Sequence, residues 1–456
     1  MHDSTDLTLE PVAGLIRRLA LPASVGFLFN TLFNVVDTYF GGIISTEVLA
    51  ALSLSLPVFF IIISMGTGLS TGTTALIANA LGAGDRDGAR LYAVQGITFG
   101  IITAIVTTFI GCYLSPLLFT ILGATGEYLA TALLYIDTIF AGTIFFILAY
   151  MLNAVLTATG DTKSFRNFLV TGFFLNIGLD PLFIFGGFGI PPMGIAGIAL
   201  ATVLIQMMGS IYLGFKVHRS GLLKEKKLQD IFPKRRPFRD IAYQGFPASF
   251  NMITIGIGFF VITWFISAFG KDAVAAYGIG IRIEQIVLVP TIGLNIATLT
   301  LVAQNNGAGL FHRITETLHK ALFYGGIISA AGTVIVLAGA PFLMAIFTND
   351  QSVIAIGTTY IRIDALVFYG YIILFVHVAA LQGIKKPMYA VWIGLIRQLA
   401  APMVVFYLFV TVFGWGLLGI WWGFFLITWG AAIFTLFYAR ALLNRNRLTP
   451  PPSDHG

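Results

Sequence analysis

The stretch Leu21–Gly42 reads LPASVGFLFNTLFNVVDTYFGG. It is apolar enough to sit in a bilayer, yet it holds a carboxylate, Asp37, well inside. An ionised Asp near mid-membrane costs about 2.5–3.5 kcal/mol on insertion scales, a cost tolerated where the acid faces protein or a water-filled cavity. Pro22 lies about four helical turns earlier, with Asn30 and Asn34 between them. The pattern predicts a helix that can bend near one end and carries a protonatable switch near the other.

The rest of the chain has the composition to surround such a helix with more of the same. Of its 456 residues, 57% are hydrophobic and 10% charged, where soluble domains carry about 25% charged residues. The apolar runs are about 20–30 residues long and do not alternate, which excludes a β-barrel. The formal charge of +6 does not point to nucleic acid, because the basic residues cluster in loops between spans, where they set orientation. A single cysteine, Cys112, sits in an apolar run, so neither a disulfide framework nor a cysteine-based metal site is expected. The opening MHDSTDLTLEPVAG is acidic and has no basic n-region, so it does not read as a cleaved signal peptide.

Runs bounded by Gly, Pro or charge predict twelve spans, at 14–42, 48–81, 91–118, 127–157, 164–187, 194–215, 240–269, 274–307, 316–347, 352–382, 388–414 and 417–443. One set of alternate loops and ends holds Arg17, Arg18, Arg86, Arg90, Lys163, Arg166, the basic 216–239 segment, Arg313, Lys385, Lys386, Arg445 and Arg447. The opposite loops hold Lys271 as their single basic residue. The asymmetry places both termini on the cytoplasmic side.

An internal repeat organises these spans. Shifted by 225 residues, Pro22-Ala23-Ser24 falls on Pro247-Ala248-Ser249, Gly68-Leu69 on Gly293-Leu294, Gly82-Ala83-Gly84 on Gly307-Ala308-Gly309, and Tyr135-Ile136 on Tyr360-Ile361. The fold expected is an all-α polytopic membrane protein with twelve transmembrane helices in two six-helix pseudo-symmetric lobes. The lobes would span 1–215 and 240–443, joined by the basic 216–239 linker and followed by a tail at 444–456. An even number of spans per repeat gives both halves the same direction, and carriers of this type bind substrate and coupling ion near the midplane.

The halves differ in their acids. Asp37 falls on Ile262, Asp180 near Ala401 after a small gap, and Asp137 on Arg362. Asp37 and Asp180 stand at similar depth, Asn176 is one turn before Asp180 on the same helix face, and Thr202 returns to that height on the next span. Two carboxylates, an amide and a hydroxyl at one depth can hold a proton or Na+, and in low dielectric two close carboxylates share a proton. In the C-terminal half, Arg282, Glu284, Tyr360, Arg362 and Asp364 form a second polar group, read as ion pairing or cavity electrostatics. Arg397 reads as a snorkelling or helix-pairing residue, and His377 as a packed polar side chain. Trp415, Trp421 and Trp422 read as interface anchors. The Gly-rich stretches signal close helix packing. There is no Walker A sequence and no HExxH pattern, so neither ATP nor a metal is expected to supply the energy or the chemistry.

Beyond these residues, the chain resembles the MATE (multidrug and toxic compound extrusion) transporters over nearly its whole length. The likeness rests on the two six-span repeats, on NALGAGD and AQNNGAG after spans 2 and 8, and on LTATGDTKS and ALQGIKKPM after spans 4 and 10. NVVDTYFGG and NIGLDP complete it. The placement of the acids resembles the DinF-like branch. The resemblance implies that Asp37, Asn176, Asp180 and Thr202 form a cation or proton site, that helix 1 bends at Pro22, and that Asn30, Tyr135 and Asn153 border the drug pocket. The NorM-like branch uses an acid on span 7 that this chain lacks, although Tyr360 and Asp364 match its pattern on span 10.

The function implied is a secondary antiporter, not an enzyme, exporting lipophilic, mostly cationic compounds in exchange for H+ or Na+. Its partners would be small-molecule substrates and the lipid bilayer, without nucleic acid. It would act as a monomer in the inner (plasma) membrane, with no cofactor beyond the coupling ion. The alternative is a flippase for lipid-linked oligosaccharides, which needs a cavity dense in basic residues. A membrane-embedded enzyme would need a nucleophile or metal cluster and would not explain the duplication.

Overall fold

A computed structural model describes residues 6–224 and 228–448. Lys226 and Lys227 of the basic linker, the first five residues and the tail beyond Leu448 lie outside the described residues. The described chain is helical throughout, with one isolated bridge between Gly187 and Ile190. In the N-terminal half, α1 (Val12–Ile44), α2 (Thr46–Gly82) and α3 (Arg86–Ile121) precede the shorter α4 (Gly126–Ala141) and α5 (Thr143–Ala158). The helices α6 (Lys163–Phe185) and α7 (Ile195–Ser220) complete it. The C-terminal half repeats the order as α8 (Arg235–Ser267), α9 (Lys271–Gly307), α10 (Phe311–Ala345), α11 (Gln351–Ala365) and α12 (Phe368–Gly383). Then come α13 (Met388–Leu395), α14 (Ala401–Tyr407) and α15 (Gly416–Leu448), with π-helical turns at Ile396–Ala400 and Leu408–Val412.

Helix ends follow local chemistry. Asp85 caps α3 by accepting from the Gly88 N–H at 2.7 Å, and Ser45 caps α2 through Val48 N–H at 3.1 Å. Both α2 and α9 stop at a glycine of positive φ, Gly84 (+75°) and Gly309 (+69°), one repeat apart. There the following N–H turns back onto the helix, Asp85 to Ala80 O and Leu310 to Asn305 O, which satisfies carbonyls the helix end would orphan.

Among the described residues ten helices are long and apolar enough to cross a membrane, or twelve spans in all if each of two bent pairs is one crossing. The pairs α4/α5 and α11/α12, expected as single rods at 127–157 and 352–382, bend by 44° and 49°. Each break frees a carbonyl that lipid cannot satisfy. Thr108 on α3 donates to Phe140 O at 2.9 Å, and its repeat partner Thr333 on α10 donates to Ala365 O at 2.8 Å. Trp429 Nε1 covers Leu366 O at 3.0 Å.

The chain divides into two compact units, and their edges lie inside helices instead of in the linker. One unit is Val25–Phe250; the other takes the chain up to Ser24 and from Asn251 onward. In the first unit, Val48, Ile62, Phe119, Tyr135, Ile139, Phe146 and Ile198 form the largest core. Gly68 on α2 lets α8 pass so closely that a Cβ there would strike the backbone of Ser249. The linker is pinned to α3: Gln95 Nε2 donates to Asp230 O (2.5 Å) and Phe232 O (2.8 Å), while its Oε1 accepts from Lys234 N–H at 2.8 Å.

The second unit has the matching features. The N-terminal residues Leu7, Val12, Leu15, Ile16 and Leu19 pack with Leu294, Leu301, Ile314 and Leu381. A second core gathers Ile262, Tyr277, Met344, Tyr360, Phe406 and Trp421. A Cβ on Gly293 would strike Ala20 O and Ser24, one repeat on from the Gly68–Ser249 crossing. Arg313 donates to Glu10 O at 2.6 Å and to Asn305 Oδ1 at 2.9 Å, which holds the start of the chain down.

Candidate functional site

Three helices of the Val25–Phe250 unit bring the predicted acids together. Asp37 projects from α1, while Asn176 and Asp180 lie one turn apart on α6 and face the same way. Asn176 Nδ2 donates to Asp37 Oδ1 at 2.9 Å. Thr202 on α7 donates to Ile198 O at 3.0 Å and approaches Asp37 Oδ2 at 3.5 Å, so its single proton is divided between a helix carbonyl and the acid. Asp180 lies beside Asp37. Asn176 and Asp180 are 0% exposed and Thr202 4%; Asp37 is half-buried.

What the cluster lacks is as telling as what it holds. Both carboxyl oxygens of Asp180 and Oδ1 of Asn176 are buried without a donor. A buried acceptor left without a partner costs about 1–3 kcal/mol, and more when charged. Three such oxygens lie beside Asp37, whose own donors are Asn176 Nδ2 and Thr202 Oγ1, so the cluster is richer in acceptors than in donors. Among the described residues no group of three or more His, Cys, Asp or Glu is placed to hold a metal ion.

The remaining expected residues lie on α1, α4 and α5. Tyr135, expected at the drug pocket, is buried against the two acids. Asn153 is buried on α5 and accepts from Thr157 Oγ1 at 3.2 Å. Asn30 is half-buried on α1, where its carbonyl accepts from Asn34 Nδ2 at 2.9 Å. Pro22 is buried inside a continuous α1, two residues before the unit boundary at Ser24.

The second unit holds another polar cluster. Glu284 of α9 stands near Tyr360 of α11 and Tyr371 of α12, with Asp364 of α11 in the same group, and the Tyr360 hydroxyl and Asp364 Oδ1 are buried without a hydrogen-bond partner. Tyr277 stacks in the same group, 5.5 Å from the Tyr360 ring and 6.2 Å from Trp421, ring centre to ring centre. Arg282 and Arg362 are exposed and take no part in it. Arg397, expected to snorkel or to pair helices, does not snorkel: it is 8% exposed and lies over the ring of Tyr371 on α12 at 5.5 Å. Trp421, expected at the interface, is 2% exposed and packs on Tyr360 at 4.5 Å. His377 Nδ1 sits 2.7 Å from Ile373 O, as a packed polar residue would. Tyr277, Tyr371 and Arg397 were not singled out as site residues in the sequence. The signal that would have found Arg397 is the repeat: Pro181 of NIGLDP falls on Pro402, which puts Arg397 at the position of Asn176.

Comparison with known proteins covers both halves of the chain. The profile of the MatE family matches residues 22–182 and again residues 247–408, at the offset of the internal repeat. The chain is 29% identical over 440 residues to a probable multidrug resistance protein NorM of Thermotoga maritima, covering 94% of each. It is 27% identical over 397 residues to a FAD transporter of Shewanella oneidensis, covering 87% of this chain and 88% of that one. A structure described as the outward-facing conformation of a multidrug resistance MATE family transporter of the MOP superfamily superposes with a TM-score of 0.91. The two are 26% identical, covering 98% of this chain and 99% of that one.

Proposed function

The chain belongs to the MATE family of transporters, and we propose that it is a secondary antiporter that exports lipophilic, mostly cationic compounds in exchange for H+ or Na+. The observation that carries this reading is the buried, acceptor-rich cluster of Asp37, Asp180, Asn176 and Thr202. In this reading the cluster binds its ion from outside, which removes the negative charge that attracts a cationic substrate, and substrate leaves. Facing the cytoplasm, the ion departs and affinity for substrate returns. Pro22, just before the point where α1 passes between units, is the hinge. The drive is adequate: one charge crossing is worth about 2.3 kcal/mol per 100 mV, and 1.4 kcal/mol is tenfold, so one net charge sustains a gradient of about fortyfold. The loop charges support an inner-membrane protein with cytoplasmic termini.

The flippase alternative needs a cavity dense in basic residues; of the candidates Arg282, Arg362 and Arg397, the first two are exposed on their helices and only Arg397 is buried. The relative named a FAD transporter makes FAD the natural anionic comparison. A cluster whose charged members are two acids favours the cation.

Competition at equilibrium tests the proposal. Ethidium affinity of the detergent-solubilised protein is measured while H+ or Na+ is raised separately. The expected result is a loss of at least about tenfold in affinity on saturation with one of the two ions, abolished in Asp37→Asn. Ion sensitivity that is the same in Asp37→Asn as in wild type would overturn it.

A further inference from the structure

Two acid clusters stand in one chain, built from different positions of the same repeat. The tyrosine is common to both: Tyr135 beside Asp37 and Asp180, Tyr360 beside Glu284 and Asp364. The acids are not. Asp37 falls on Ile262 and Asp180 on Ala401, while Glu284 falls on Phe59 and Asp364 on Ile139. The amide position differs as well. Asn176, neutral, donates to Asp37; its repeat partner, with Pro181 and Pro402 in register, is Arg397.

Arg397 is delivered by a π-helical turn, Ile396–Ala400, between α13 and α14. The α6 helix has no such turn at Asn176. A π turn inserts one extra residue and re-aims the side chains around it, and such turns concentrate at functional positions. Here Arg397 is nine-tenths buried and its guanidinium lies over the Tyr371 ring at 5.5 Å, with Glu284 standing near both. Burying a cation is costly unless an acid offsets it, and Glu284 and Asp364 are the acids in its cluster. The other titratable groups facing them are Tyr277, Tyr360 and Tyr371.

We propose that Arg397 is a tethered cation that stands in for a coupling ion at the Glu284–Asp364 pair and thereby confines ion coupling to the Asp37–Asp180 pair. The first cluster needs a cation from solution; the second carries one on its own chain. Removing the tethered charge while leaving the acids opens a second ion site and adds one coupling ion per cycle. The inference rests on the reading that the Asp37–Asp180 pair couples an ion.

The test is the steady-state ethidium gradient of proteoliposomes with the membrane potential clamped at zero. A one-unit pH gradient or a tenfold Na+ gradient is imposed separately. By mass action each coupled ion contributes a factor of about ten. Arg397→Gln is expected to raise the ratio by about tenfold under one of the two gradients. Arg397→Lys, which keeps the charge, and the double variant Arg397→Gln/Glu284→Gln, which removes the unmatched acid, are expected to keep the wild-type ratio. If Arg397→Gln is inactive but the double variant transports, the charge match is likewise supported. An unchanged ratio in active Arg397→Gln overturns the proposal, as does loss of transport in both Arg397→Gln and the double variant while both remain folded. Asp37→Asn is run in parallel: coupling that survives it refutes the first cluster's role and leaves the Arg397 comparison to be read on its own.

Discussion

Asn176 is the residue that holds Asp37 in the first cluster, one turn from Asp180 on the same helix. Its Nδ2 is committed to Asp37 at 2.9 Å, which leaves its Oδ1 as an acceptor alongside the two oxygens of Asp180. Asn176→Leu keeps the volume, removes the donor and removes one acceptor from the cluster. A hydrogen bond to a charged group is worth about 1.5–3 kcal/mol, and Thr202 keeps only a 3.5 Å approach to Asp37. Transport turnover in reconstituted vesicles is therefore expected to fall by roughly tenfold or more, with the protein still folded; turnover within twofold of wild type would count against the cluster's role. The acids were legible from sequence because a charge in a long apolar run has few innocent explanations. Arg397 was not legible by the same rule. Near a span end a long basic side chain ordinarily reaches for the interface, and the single-residue insertion of a π turn, which turns it inward, leaves no mark in composition or spacing.

At the scale of elements, the bent spans α4/α5 and α11/α12 are the departures from regular rods. The break at Gly142 had a glycine, one of 50 in the chain, and its repeat partner Val367 had no signal at all. The compensating groups were written in the repeat: Thr108 and Thr333 stand one repeat apart and bond the freed carbonyls. Interhelical hydrogen bonds in membranes average about 0.6 kcal/mol with a maximum near 1.7. Thr108→Val and Thr333→Val are each expected to lower the melting temperature by about 1–4 °C, and the two losses to add because they lie in different units. The helix crossings are less forgiving. Gly68→Val drives a side chain into the backbone of Ser249, whereas nothing lies within 4 Å of a Cβ on Gly42. Overpacking costs about 1–3 kcal/mol, so Gly68→Val is expected to melt several degrees lower and Gly42→Ala to match wild type. Equal melting temperatures would show that the α2–α8 crossing is loose. Close packing at Gly-rich stretches was readable from the sequence; which partner each glycine meets was not.

At the scale of the whole molecule, duplication preserved a scaffold and let its chemistry diverge. The paired glycine turns at Gly84 and Gly309, the paired threonine caps and the paired crossings at Gly68 and Gly293 are common to both halves. The acids occupy different positions in each. The repeat made the scaffold legible before any coordinates. The unit edges were not legible, because a loop rich in charge looks like a boundary while a proline inside a span does not. The chain instead passes from one unit to the other within α1 and within α8, shortly after Pro22 and Pro247. This places a proline just before each crossing point and Asp37 beyond the first.

The central claim is that Asp37 converts an ion gradient into export. The measurement that tests it most directly is ethidium efflux from proteoliposomes, with a pH gradient or a Na+ gradient imposed alone, for wild type and Asp37→Asn. The account predicts efflux driven by one of the two gradients in wild type and by neither in Asp37→Asn. Gradient-driven efflux at the wild-type rate in a folded Asp37→Asn protein would contradict it and move the coupling to Glu284 and Asp364.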